Sequence, residues 1–129
     1  MKKQTHIFVF EPDCFVAERI AGLVSCMPCV DSVTILPHGG NVVPMAGKCR
    51  PSLLLISMSA ARKNKRLIAA VSIQSPETRI YIYAFAGDEY AARYARAAEQ
   101  MGAHGFLGLE TLRGGLQRVL EQGQTAGAG

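Results

Sequence analysis

The chain has 129 residues, 49% of them hydrophobic and 19% charged, which suits one domain with a buried core and excludes disorder across its body. Fourteen Lys and Arg against ten Asp and Glu give a formal charge of +4, compatible with an acidic partner but not demanding one. No apolar run approaches the roughly 20 residues that span a bilayer, and the stretch Ile7 to Phe10 behind the basic start is too short for a signal-peptide core.

A cytoplasmic location follows as the expectation, with Cys14, Cys26, Cys29 and Cys49 reduced. In chain order, His6 to Phe10 reads as a buried strand. Asp13 can cap the helix behind it, where Phe15, Ile20, Leu23 and Val24 recur at helical spacing until Pro28 stops it. Ser32 to Leu36 is a second strand, and Gly39 to Cys49 a short or irregular helix holding two glycines near its start and Pro44. Leu53 to Ile56 is a continuous apolar run, the mark of a strand buried on both faces of a parallel sheet. Arg62 to Gln74 is expected as one helix, closed by Ser75-Pro76. Arg79 to Tyr83 forms a fourth strand, Asp88 to Met101 an Ala-rich helix ended by Gly102, His104 to Leu107 a fifth strand, and Thr111 caps a last helix running to about Gln122.

Five strands alternating with helices predict an α/β fold of three layers, a parallel sheet covered on both sides. Right-handed crossovers make the flavodoxin-like (βα)5 order 2-1-3-4-5 the expected one. Residues 1–122 form this domain, and the Gly-rich tail 123–129 is a flexible end or the start of a linker. Functional groups in such folds gather at the C-terminal ends of the strands.

Phe10-Glu-Pro-Asp13, Met27-Pro-Cys-Val30, Arg50-Pro-Ser-Leu-Leu-Leu-Ile-Ser57 and above all Met101-Gly-Ala-His-Gly-Phe-Leu107 resemble receiver domains of two-component response regulators, most closely those of helix-turn-helix transcription factors. The resemblance covers the chain to about Gly123. It implies a phosphoacceptor aspartate after the third strand, an acidic pair holding Mg²⁺, a lysine that pairs with the phosphoryl oxygens and a hydroxyl that senses them. The sequence departs at each point. Ser57 takes the acceptor position, and no acidic residue occurs between Asp31 and Glu77. The acidic pair becomes Glu11 with Asp13 one position late, the sensing hydroxyl falls on Ala84, and the lysine position is Leu109.

Arg62, Lys63, Lys65 and Arg66 read either as an anion or partner site or as a solvated helix start, where cations oppose the macrodipole. Tyr90, Arg93, Tyr94 and Arg96 on the Ala-rich helix read as an interface or as ordinary packing, in a region where receivers dock partners and dimer mates. Cys26-Met-Pro-Cys29 has redox spacing but follows a helix C-terminus, where nothing lowers a thiol pKa, so structural thiols are expected. No zinc-ligand spacing is present. His104 stands at a tight strand entry and reads as structural. Ser57 with His38 lacks the Gly-x-Ser-x-Gly elbow of a hydrolase.

The expectation is a non-enzymatic pseudo-receiver without cofactor or metal, acting in signal transduction or transcription regulation by protein–protein contact. An output domain is expected downstream, with no membrane segment and no direct nucleic-acid contact. The alternative is a module binding an anionic small molecule near Arg62 to Arg66.

Overall fold

The computed structural model describes residues 5–84 and 88–108, and also 114, 115, 118 and 119. The expected tail and most of the expected last helix lie outside these residues. Five strands, β1 (His6–Phe10), β2 (Ser32–Leu36), β3 (Leu53–Ser57), β4 (Arg79–Ala84) and β5 (Gly105–Gly108), form one sheet in the order 2-1-3-4-5. All neighbours pair in parallel. The order is the expected one, and β5 starts one residue later than the sequence suggests.

Alternation along the strands splits the core in two. Phe8, Phe10, Leu54, Ile56, Ile80 and Ile82 face one helical layer: α2 (Val42–Cys49), α3 (Met58–Lys63), α4 (Leu67–Gln74) and α5 (Asp88–Gln100). Ile7, Val9, Leu53, Leu55 and Tyr83 face α1 (Cys14–Ser25) together with Val119. Every residue of β3 is buried, which is why that strand reads as an unbroken apolar run. At the start of β4 the Arg79 guanidinium donates to the Val119 carbonyl at 3.2 Å.

Helix ends follow local chemistry. Asp13 caps α1, its Oδ1 accepting from Phe15 N at 3.0 Å and Val16 N at 3.2 Å. Pro44 lies in the first turn of α2, where no intrahelical N–H bond is lost. A 3-10 turn at Gly39–Asn41 precedes it. Gly102, with φ +92°, closes α5: its N–H bonds Glu99 O, and Ala103 N–H reaches Ala98 O, both at 3.0 Å, satisfying the last carbonyls.

Three expectations need correction. The single helix over 62–74 is two helices joined by a turn, because α3 starts directly at the end of β3. Phe15 and Leu23 do not face the core of α1; Ala17, Ile20 and Val24 do, and Phe15 is 79% exposed. The cysteines are free, but Cys14, Cys26 and Cys49 are exposed, and only Cys29 packs against the core. His104 is structural as expected: its ring Nδ1 accepts from Ile80 N–H at 3.0 Å, and its backbone N–H donates to Ile80 O at 2.7 Å.

Candidate functional site

The register brings the ends of the central strands level. Phe10 pairs with Ile56, and Ser57 with Tyr83, so Glu11, Ser57 and Tyr83 meet at the C-terminal edge of the sheet. A cleft of about 280 Å³ opens there, lined by Glu11, Ser57, Tyr83, Ala84, Arg62 and Tyr94 among others. Leu109, the expected lysine position, lies outside the described residues.

Glu11 is buried at 7% exposure, a costly place for a carboxylate unless donors surround it. Two do. Tyr83 Oη–H donates to Oε1 at 2.9 Å, and Asp13 N–H donates to Oε2 at 3.1 Å. Burial pushes the Tyr83 phenol far above its ordinary range, and the charge of Glu11 and the hydrogen bond to it push the same way. At neutral pH Tyr83 is therefore a fixed proton donor. Asp13, half of the expected acidic pair, spends its carboxylate on the first turn of α1.

Ser57 is buried, and its Oγ accepts from Ala60 N at 3.2 Å, which makes it the N-cap of α3. Its hydroxyl oxygen is thus occupied by a helix terminus. Ser59 Oγ lies 3.5 Å away, at the outer limit of a hydrogen bond. Ala84 reaches the cleft with a methyl group and supplies no hydroxyl.

The basic run spans the end of one helix and the start of the next. Arg62 and Lys63 occupy the last turn of α3, where cations suit the dipole. Lys65 lies in the turn, and Arg66 is the residue before α4. All four are exposed, and only Arg62 lines the cleft. Its guanidinium lies 5.8 Å from the centre of the Tyr94 ring, which stacks on Phe106 at 5.5 Å and 14°. Tyr94 is therefore half-buried between two side chains, whereas Tyr90, Arg93 and Arg96 remain exposed on α5. The four do not make one free patch.

Sequence reading passes over Tyr83. The signal lay in the alternation of Arg79-Ile-Tyr-Ile-Tyr83, which puts Tyr83 on the face that Leu53 and Leu55 share. Among the described residues no group of three His, Cys, Asp or Glu is placed to hold a metal ion. No helix among them is long and apolar enough to cross a membrane.

No protein-family model and no curated protein matches the sequence. Solved structures do. The isolated receiver domain of RcsB from Salmonella enterica serovar Typhimurium superposes with a TM-score of 0.75 at 13% identity, covering 95% of this chain and 90% of that one. A LuxR-family DNA-binding response regulator from Staphylococcus aureus gives 0.71 at 8% identity, with 91% and 97% covered. A protein provisionally assigned to pilus assembly in Burkholderia pseudomallei gives 0.70 at 16% identity and 95% of both chains. Together with the strand order and the register, these similarities identify the fold of this chain as that of a response-regulator receiver domain.

Proposed function

We propose that this chain is a non-enzymatic, cytoplasmic pseudo-receiver, a signalling domain that works by protein–protein contact and is not switched by aspartyl phosphate. The observation that carries the reading is the Tyr83–Glu11 hydrogen bond, which ties up a carboxylate that the receiver resemblance assigns to Mg²⁺. The residues present do not fit that ion. Mg²⁺ takes near-ideal octahedral oxygen coordination through one or two carboxylates, and here Glu11 is held by two donors while Asp13 caps a helix. Ser57 is a weak acceptor without an activating base, and its Oγ already takes the Ala60 N–H.

A small-anion module is less well supported, since among the described residues the cleft offers one cation, Arg62, beside the Glu11 carboxylate. The similar structures include a DNA-binding response regulator and a protein assigned to pilus assembly, and the proposed partner is a protein of one of these two settings. Beryllofluoride with Mg²⁺ tests the reading. Amide resonances of Ser57, Ala60 and Ala84 are expected to stay in place, and a saturable shift at all three would overturn it.

A further inference from the structure

The segment that builds α2, α3 and α4 carries charge of one sign. Between Asp31 and Glu77 the sequence holds six of the fourteen cations and none of the ten carboxylates, so the rest of the chain, eight cations against ten carboxylates, is net negative. The six, Lys48, Arg50, Arg62, Lys63, Lys65 and Arg66, are all exposed. Protein surfaces ordinarily intersperse both signs, and a single-sign field steers an oppositely charged partner. Lys65 and Arg66 also stand at the start of α4, the positive end of its dipole, where cations are disfavoured.

We infer that this face docks an acidic protein surface, an inference that rests on the reading of the chain as a protein–protein signalling domain. α2 packs along α4, and α4 presents Ile73, 75% exposed, close to its end. No Phe, Tyr or Trp occurs between Phe15 and Tyr81, so α2, α3 and α4 carry no stacking platform of their own for single-stranded nucleic acid.

The test uses the full chain and a labelled oligo-glutamate peptide, with a DNA duplex and anionic vesicles as comparison probes. Two variants of equal net charge are compared, K65A/R66A and R93A/R96A, the second on α5. The Arg66 side chain makes no cap hydrogen bond, so both pairs are expected to keep the wild-type circular dichroism spectrum. The expected result is oligo-glutamate binding that weakens about tenfold between about 50 and about 200 mM NaCl. It should weaken about tenfold again in K65A/R66A and less than about twofold in R93A/R96A. Equal losses in both variants, or tighter binding to duplex or vesicles than to oligo-glutamate, would overturn the inference. So would low-salt self-association that K65A/R66A abolishes, which would assign the face to a second copy. A phosphoryl adduct on Ser57 would remove the proposed function yet leave this binding unchanged, so the two failures are distinguishable.

Discussion

The Tyr83 hydroxyl donates to the Glu11 carboxylate at 2.9 Å, joining residues 72 positions apart in the chain. This bond closes the floor of the cleft between β1 and β4, across the end of β3. Receiver chemistry would need that floor open to a cation; here it is a finished hydrogen-bonded contact.

Tyr83→Phe removes the donor and leaves the Glu11 carboxylate with the Asp13 N–H alone. Hydrogen bonds to charged groups contribute about 1.5–3 kcal/mol, and an abandoned buried partner costs at the upper end. Urea unfolding at pH 7 should show a loss in this range. A change below about 0.5 kcal/mol would mean that water replaces the phenol.

Alkaline stability follows from the same bond. The Tyr83 phenol is pushed well above its ordinary value near 10 in the folded state. Its contribution is fully present below about pH 10 and is lost as pH rises beyond, because only the unfolded chain then releases the proton. The wild type should lose about 1.4 kcal/mol more per pH unit above pH 10 than Tyr83→Phe does. Parallel curves for the two proteins between about pH 9 and about pH 11 would contradict this.

The strands were legible because each carries its burial locally. Leu53 to Ile56 announces a doubly covered strand without reference to any other segment, and Asp13 announces a helix start two residues before the first N–H it accepts from. The break between α3 and α4 was not legible. From Met58 to Gln74 no Gly or Pro interrupts the chain, and Ala, Arg, Lys and Leu all favour helix. What splits it is side-chain capping at both ends of α3: Ser57 caps a helix directly off β3, and Asn64 ends it by returning both its N–H and its side-chain amide to Ala60 O. Glu11, Ser57 and Ala84 could be named from strand ends alone. The Tyr83–Glu11 bond could not, since it depends on register between strands far apart in sequence.

Ser57 separates capping from chemistry. Ser57→Ala should cost about 1 kcal/mol by stripping the acceptor from Ala60 N. Ser57→Asp keeps a capping oxygen but sets a second carboxylate in the cleft with Glu11, where like charges disfavour ionisation. Thermal unfolding should therefore find Ser57→Asp more stable at pH 5 than at pH 8 relative to wild type. The opposite order would mean that the new carboxylate turns to solvent.

The most direct measurement is intact mass after incubation with acetyl phosphate and Mg²⁺, run on the wild type and on Ser57→Asp. The account predicts unmodified protein in both, since an acceptor restored at position 57 still lies beside an occupied Glu11 and a capping Asp13. A stable adduct of one phosphoryl group per wild-type chain would contradict the central claim.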